Sequence, residues 1–189
     1  PVAIDHWRRA GADVQGLLVR FPPGMLREIL KSAPPVFTQH ARNPENSVQI
    51  GGKSVVFAPA YGSPFVMDLD RGRRFGTLED FRNFIKLAQS SPNFHHSGGT
   101  ICEPTDVPVN KRHLDMVMAH IELSDRPFMG SVTAEDRSED SIAMARILFG
   151  EAFVNDNCVI LGNVNVNSPL VWDGTMTRSL RAYARAGQA

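Results

Sequence analysis

The chain has no excess of charge of either sign and no long apolar run. Lys and Arg number 20, as do Asp and Glu, so the formal net charge is zero. A strong positive field is therefore missing, and we expect no binding to nucleic acid or to an anionic membrane surface. No apolar run reaches the roughly 18 residues of a membrane-spanning helix, and the first residues contain no secretory apolar segment.

Cysteine is also scarce. Cys102 and Cys158 stand far apart and belong to no pairing motif, so free thiols in a reducing cytoplasm are expected. The 189 residues, 42% of them hydrophobic, suffice for one ordinary domain or for part of a larger one. Because the sequence starts at Pro1 without Met and stops after "ARAGQA", we expect a piece of a longer polypeptide.

The first 75 residues mix short helical and extended patterns. Prolines bracket "FPPGMLREILKSAPP", which predicts a short helix between them. The β-rich runs "SVQI" and "KSVVFAPA" flank Gly51 and Gly52, a pattern that favours a hairpin. Residues 1–75 are therefore predicted to form an N-terminal region of one helix and a β-hairpin or meander.

Residues 76–189 alternate between extended and helical patterns. Thr77, with Asp80 three residues later, predicts the start of a helix. Three extended runs, "NFHHSGGT", "RPFMGSVT" and "NCVILGNVNV", are each followed by an amphipathic helix. This alternation indicates an α/β fold with a parallel sheet. We predict a partial TIM (βα) barrel of about the first three βα units, with a doubly wound sheet as the alternative.

The three predicted strands all become polar where they end. The polar segments are His95–Thr100, Gly130–Thr133 and Gly162–Ser168. Ligands of parallel α/β folds bind at the carboxyl ends of the strands, so these segments are candidates for a site. In the last one, Asn163, Asn165 and Asn167 stand two apart and would project to one side, into the barrel, with Val164 and Val166 toward the helices.

Common catalytic motifs are missing from these segments. No serine lies in a GxSxG elbow, and Gly98-Gly99 has neither the P-loop lysine nor GxGxxG spacing. His95 and His96 followed by Cys102 do not match a usual zinc spacing. Neutral amides and hydroxyls predominate instead, which suits a ligand that brings its own charge and has to be oriented.

Three long stretches resemble one known family. They are "FAPAYGSPFVMDLDRGRRFGTLEDFRNFIKLAQSSPNF", "PVNKRHLDMVMAHIELSDRPFMGS" and "ILGNVNVNSPLVWDGTMTRSLRAYARAGQ". In these stretches the chain resembles the trimethylamine methyltransferase family, and the similarity extends over essentially all of its length. The parts that carry the resemblance best are "DLDRGRR" with the following Thr and Asp, and "NVNSPLVWD".

The resemblance implies a TIM-barrel enzyme that moves a methyl group from a methylated amine to the reduced cobalt of a separate corrinoid protein. Family members that use trimethylamine carry pyrrolysine in the later half of the barrel, and many relatives without it are thought to demethylate quaternary amines such as glycine betaine. We therefore predict a cytoplasmic enzyme, homo-oligomeric at full length, whose corrinoid is carried by its partner and not bound tightly to this chain. The fragment alone is expected to be inactive.

No catalytic residue and no metal ligand is assigned. Five residues are predicted to line the mouth of the barrel and to contact substrate or corrinoid, namely His96, Ser131, Asn163, Asn165 and Asn167. Two alternatives stay open. One is a zinc-dependent barrel methyltransferase that uses His95 or His96 with a cysteine, and the other is a non-catalytic barrel fragment that acts as a binding module.

Overall fold

The computed structural model describes residues 2–167 and 170–189. The chain divides into two compact units, one ending at Val36 and the other spanning Phe37–Ala189. The first unit contains helix α1 (Val2–Arg9), an antiparallel pair of strands, β1 (Asp13–Gln15) and β2 (Leu18–Arg20), and helix α2 (Met25–Leu30). Helix α2 confirms the short helix predicted between the prolines.

The second unit holds most of the regular structure. Strand β3 (Val36–Gln39) begins at the last residue of the first unit, and the other strands are β4 (Val48–Gly51), β5 (Phe65–Asp68), β6 (Gly72–Phe75), β7 (Phe128–Met129) and β8 (Ile160–Leu161). The helices of the second unit are α3 (Leu78–Ser90), α4 (Arg112–Leu123), α5 (Glu135–Phe149), α6 (Glu151–Asp156) and α7 (Gly174–Arg185), with a short 3₁₀ helix at Pro44–Asn46. No helix in the described ranges is long and apolar enough to cross a membrane. The boundary predicted at residues 75 and 76 falls between β6 and α3.

The hairpin predicted around Gly51 and Gly52 is wrong. Strand β4 pairs with β3, and the residues after the glycines form no strand. The carbonyl of Phe57 instead accepts hydrogen bonds from the backbone N–H groups of His95 and His96, at 2.9 and 3.2 Å. The segment after the turn therefore bonds to a distant part of the chain, a pairing that local turn chemistry cannot specify.

The hairpin of this region lies further along the chain. Strands β5 and β6 pair antiparallel, with Phe65 opposite Phe75 and Asp68 opposite Gly72. One carboxylate oxygen of Asp68 accepts from the N–H groups of Asp70 and Arg71 and closes the turn. Gly72 takes a positive φ of 66°, which a glycine adopts without strain.

The predicted start of α3 is confirmed. The Thr77 hydroxyl accepts from the Asp80 N–H at 3.2 Å, and the Asp80 carboxylate accepts from the Thr77 N–H at 2.9 Å. Arg74 on β6 donates to the same carboxylate and to that of Asp68. This ion-paired Arg74, more than any other group, holds the pKa of Asp80 well below its usual range. The hairpin and the start of α3 are therefore joined by charged hydrogen bonds.

The extended segment before α4 and strands β7 and β8 lie side by side. The N–H of Ser97 donates to the Pro127 carbonyl and that of Met129 to the Gly98 carbonyl, both at 2.9 Å. Strands β7 and β8 are parallel, with Phe128 opposite Ile160. The observed fold is thus mixed α/β with small sheets, and the described residues form no closed barrel.

Two apolar clusters form the core of this unit. One lies between β7, β8, α5 and α7 and includes Phe128, Ile160 and Tyr183. The other lies under the β5–β6 hairpin, between α3 and α4, and includes Phe81, Ile85 and Met116. Burial of these side chains fixes the helices against the strands, and thereby fixes where the strand ends are held.

Candidate functional site at the strand ends

The three polar segments named in the sequence analysis meet at one edge of the structure. Besides the bonds between Ser97, Met129 and their neighbours, the N–H of Gly130 donates to the Leu161 carbonyl at 2.9 Å. The three extended segments therefore end side by side. His96, Ser131 and Asn163 belong to neighbouring strand ends, whereas Ser168, the last residue of the third segment, lies outside the described residues.

His96 is almost fully buried, with 1% of its surface exposed. Its Nδ1 accepts a hydrogen bond from the Gly98 N–H at 2.9 Å, so the ring proton lies on Nε2, which donates to the Gln39 side-chain oxygen at 3.1 Å. Burial, aided by the neighbouring His120, lowers the pKa of His96 to about 3. The ring is therefore neutral at pH 7, with both nitrogens engaged.

His96 also borders a cavity of about 200 Å³, whose other walls come mainly from apolar residues around β4 and from Met129 and Leu161. Gln39 links the histidine to the sheet, because its amide donates to the Phe128 carbonyl at 2.9 Å. The structure thus places His96 in the interior behind the strand ends, where it bonds to Gln39 of β3, the residue that in turn bonds to β7.

A second buried histidine was not predicted from the sequence. The Nε2 of His120 lies 3.0 Å from the Gly99 carbonyl, which can only accept, so the neutral ring carries its proton there. Its Nδ1 then accepts from the Ser97 hydroxyl at 2.9 Å. Burial lowers the pKa of His120 to about 4, although the bond to Gly99 opposes that shift. His120 therefore fixes the first strand end from the side of α4.

Ser131 lies at the end of β7, where buried hydroxyl groups hold its backbone. Its N–H donates to the Ser141 hydroxyl at 3.0 Å, and its carbonyl accepts from the hydroxyls of Ser138 at 3.0 Å and Tyr183 at 2.9 Å. The side chain of Ser131 is left near the surface, 3.1 Å from the Thr133 hydroxyl. We call the side chains of Ser138, Ser141 and Tyr183 the hydroxyl clamp.

The hydroxyl clamp requires glycines at two positions. A Cβ on Gly162 would lie 2.6 Å from the ring of Tyr183, and a Cβ on Gly130 would lie 2.8 Å from the side chains of Ile160 and Ser141. Real Cβ atoms do not approach other atoms so closely. The two glycines at the ends of β7 and β8 thus create the slot in which the aromatic ring lies, and burial raises the pKa of the Tyr183 hydroxyl.

The three asparagines follow Gly162 in an irregular, exposed segment. Strand β8 ends at Leu161, earlier than the predicted strand. Val164 packs against the apolar cluster around Tyr183, as predicted, whereas Val166 is exposed. Asn163, between Gly162 and Val164, is exposed. Asn165 and Asn167 are exposed as well.

Potential metal ligands do not converge in the described residues. No group of three His, Cys, Asp or Glu side chains comes together in residues 2–167 and 170–189. The Nδ1 of His95 accepts from the Phe57 N–H at 3.0 Å, and the ring stacks on that of Phe57. Burial raises the pKa of the Cys102 thiol to about 11, so this thiol is protonated at neutral pH. This geometry gives no support to the zinc alternative.

A cleft of about 200 Å³ opens between the first two strand ends and the N-terminal turns of α4 and α5. Its apolar walls come from Val109, Met116, Val117 and Met129. Its polar rim is built from Thr100, Glu103, Arg112, His113, Ser131, Thr133 and Arg137. Among the predicted site residues only Ser131 lines this cleft, and its other polar members were not identified from the sequence.

The family model of trimethylamine methyltransferase (MTTB) matches residues 1–189 of the chain. The chain belongs to this family. It is 47% identical over 188 residues to the glycine betaine methyltransferase of Desulfitobacterium hafniense (strain Y51), an alignment that covers 99% of this chain and 39% of the relative. It is 22% identical over 194 residues to the proline betaine:corrinoid methyltransferase of Eubacterium limosum, covering 98% of this chain and 40% of that protein.

These alignments confirm the family resemblance seen in the sequence. The chain spans about two fifths of the length of both methyltransferases. This coverage is consistent with the prediction that the chain is an N-terminal fragment.

Proposed function

We propose that this chain forms part of an enzyme that transfers a methyl group from a quaternary amine of the betaine class to the cobalt of a corrinoid protein. The observation that carries the proposal is the 47% identity over 188 residues to a glycine betaine methyltransferase. A second relative, named for proline betaine and for a corrinoid, supports the same donor and acceptor classes. Trimethylamine, which gives the family its name, is the less favoured donor because both named relatives act on betaines.

The fold proposed for the whole enzyme is a TIM barrel, to which residues 76–189 contribute about the first three βα units. The adjacent, equally directed strand segments that end at Gly98, Met129 and Leu161 support this arrangement. Residues 1–75 are proposed as a separate N-terminal region. The strand ends then lie at the mouth of the barrel, where the active sites of this fold lie.

The residues at these strand ends suit a reaction that needs orientation more than acid–base chemistry. A quaternary ammonium has no lone pair to protonate, and loss of a methyl group leaves the bonding electron pair on nitrogen. When bound, the corrinoid supplies the reduced cobalt that accepts the methyl group. Exposed amides such as Asn163, Asn165 and Asn167 can donate to and accept from the amide side chains of a corrin ring.

We assign different roles to the other two predicted residues. Ser131 presents its hydroxyl from a backbone that the hydroxyl clamp holds in place, so it is proposed to contact the substrate. His96 is neutral, buried and fully hydrogen-bonded, so it is proposed to support the strand ends without touching the ligand. The cytoplasmic location and the homo-oligomeric state stay predictions.

Methyl transfer by the full-length protein tests the proposal. The protein is incubated with glycine betaine, proline betaine or trimethylamine and with a corrinoid protein whose cobalt has been reduced, and methylation of cobalt is followed by its absorption spectrum. We expect transfer from a betaine and none from trimethylamine. Transfer from trimethylamine alone would overturn the choice of donor, and no transfer from any methylated amine would overturn the proposed function.

A further inference from the structure

The cleft between the first two strand ends carries a cationic group that its surroundings do not neutralise. Arg137 is the third residue of α5, and a cation near the N-terminus of a helix is opposed by the helix dipole. Its guanidinium donates to the Thr133 hydroxyl at 3.0 Å. In the described part of the chain it forms no ion pair with a carboxylate, so its charge is available to an anion that enters the cleft.

The nearby acidic groups all have other contacts. Glu103 pairs with Arg112 across the rim at 3.2 Å, and Asp140 bonds to His113 at 2.8 Å. Glu135 faces Arg178 and Arg185 of α7, and Asp136 accepts from the backbone N–H of Arg137. Among the charged side chains that line the cleft, Glu103 and Arg112 balance each other. Arg137 is left as the uncompensated charge.

The hydroxyl groups in the cleft add to this preference for an anion. The hydroxyls of Ser131 and Thr133 lie 3.1 Å apart beside Arg137 and can donate to an anion.

The size and the walls of the cleft narrow the choice of ligand. Its volume of about 200 Å³ is below the roughly 300–1,000 Å³ of pockets for drug-sized molecules, which suits a ligand of few heavy atoms. Its other walls come from Val109, Met116 and Met129, apolar and polarizable groups that can contact methyl groups. A small molecule with a carboxylate at one end and methyl groups at the other fits both parts.

We propose that this cleft is a carboxylate-binding subsite, in which Arg137 and the hydroxyls of Ser131 and Thr133 hold the carboxylate of a betaine. The choice of a betaine as the source of the carboxylate rests on the proposed function. Arg137 is then a specificity residue that distinguishes betaines from methylated amines without a carboxylate. An arginine is suited to this task because its planar guanidinium binds a carboxylate through two parallel hydrogen bonds.

Equilibrium binding tests this subsite without any methyl transfer. Isothermal titration compares glycine betaine with choline, which has the same trimethylammonium group and a hydroxyl in place of the carboxylate. We expect the full-length parent protein to bind glycine betaine at least about tenfold more tightly than choline, as a charge-assisted bond implies. Arg137→Gln should remove that preference, and Arg137→Lys should keep part of it.

Arg82→Gln is the matched control, because Arg82 lies on α3 and pairs with Glu122 at 2.7 Å, away from the cleft. Circular dichroism checks that all variants are folded. Equal affinity of the Arg137→Gln variant and the parent for glycine betaine would overturn the subsite, as would a parent that binds neither glycine betaine nor acetate. Weaker binding of the corrinoid protein by Arg137→Gln, with betaine binding unchanged, would also overturn it.

Failure of the subsite and failure of the proposed function give different results. If the function is right and the subsite is wrong, methyl transfer from glycine betaine proceeds with an unchanged KM in Arg137→Gln. If the subsite is right and the function is wrong, glycine betaine binds through Arg137 but no methyl group reaches cobalt.

Discussion

The ends of β7 and β8 lie next to each other but are held in different ways. At the end of β7, the hydroxyl clamp bonds both the N–H and the carbonyl of Ser131, and Ser179 bonds the next carbonyl, that of Val132, at 2.9 Å. Beyond β8, the asparagine segment leaves the sheet and exposes its amides. One strand end is therefore fixed by buried groups, whereas the other presents neutral polar groups to solvent.

This difference suggests separate roles for the two strand ends. A rigidly held backbone can set the position of the Ser131 hydroxyl and of the neighbouring cleft, which is what specificity for a small substrate requires. An exposed series of amides can adapt to a large partner surface such as the corrin edge. We therefore expect substitutions that disturb the hydroxyl clamp or the slot for Tyr183 to change stability strongly, and substitutions in the asparagine segment to change function more than stability.

The largest effect should come from filling the slot for Tyr183. Gly162→Val places methyl groups where the ring now lies, since even a Cβ would be 2.6 Å from it. We expect a loss of about 3 kcal/mol in the free energy of unfolding, measured by urea denaturation. Gly174→Ala, at the start of α7 where only the flexible Arg178 is near, is the control and should stay within about 0.5 kcal/mol. Comparable stability of the two variants would contradict the tight slot.

The next effect concerns pH, because His96 and His120 are buried neutral. Their folded-state pKa values, about 3 and about 4, lie below the ordinary value of 6.5. The unfolded chain therefore binds more protons below pH 6.5, and the stabilisation present above that value is lost as the pH falls toward 4. We expect a loss of about 2 kcal/mol between pH 6.5 and 5.5, measured by urea denaturation at each pH.

Two variants test whether the buried histidines cause this pH dependence. His120→Gln should remove about half of it, since one of the two buried histidines is then gone. His6→Gln, at an exposed position of α1, should leave it unchanged. A parent protein equally stable at pH 6.5 and 5.5 would contradict the assignment of buried neutral rings.

A smaller effect is expected from the clamp hydroxyl itself. Tyr183→Phe keeps the ring in its slot but removes the bond to the Ser131 carbonyl, which still accepts from Ser138. We expect a loss of about 1 kcal/mol in unfolding free energy and a higher KM for the betaine. Tyr61→Phe, at an exposed tyrosine, is the control. An unchanged KM in Tyr183→Phe would show that the clamp does not position the site.

The smallest change in stability belongs to the asparagine segment. Asn165→Ala removes an exposed amide and should change the unfolding free energy by less than about 0.5 kcal/mol. Methyl transfer to the corrinoid protein should nevertheless slow, with a higher KM for that protein and little change in KM for the betaine. If this variant has normal kinetics, the functional surface is limited to the residues at the end of β7.

Local signals in the sequence predicted the local parts of the fold. The Thr77 and Asp80 pair marks the start of α3 because a capping box is formed by residues three apart. The alternating extended and helical patterns likewise predicted α4, α5 and α7 in order. The strand segments were predicted longer than the two-residue strands β7 and β8.

Interactions between distant residues were not predictable in the same way. By helical spacing Ile147 shares a face with Met144 and Leu148, which are partly buried, yet Ile147 is 86% exposed, whereas Ser138 and Ser141 are buried. Serines on a helix read as a polar face until the carbonyl and N–H they bond are known. The same holds for His120, whose partners Ser97 and Gly99 lie more than 20 residues away.

The candidate site was predicted only in part. Its location at the strand ends followed from the general rule for parallel α/β folds, and Ser131 was identified there. Arg137 was missed because a charged residue in "AEDRSED" looks like an ordinary helix surface. The one available signal was a cation in the first turn of a helix, which the helix dipole disfavours.

Methyl transfer from glycine betaine to the reduced cobalt of a corrinoid protein by the full-length enzyme is the decisive test of the proposed function. We expect the absorption of methylated cobalt to appear in proportion to the dimethylglycine formed, and we expect none with trimethylamine. Absence of methylated cobalt with glycine betaine and proline betaine, under conditions in which the enzyme is folded and the cobalt is reduced, would contradict the proposed function.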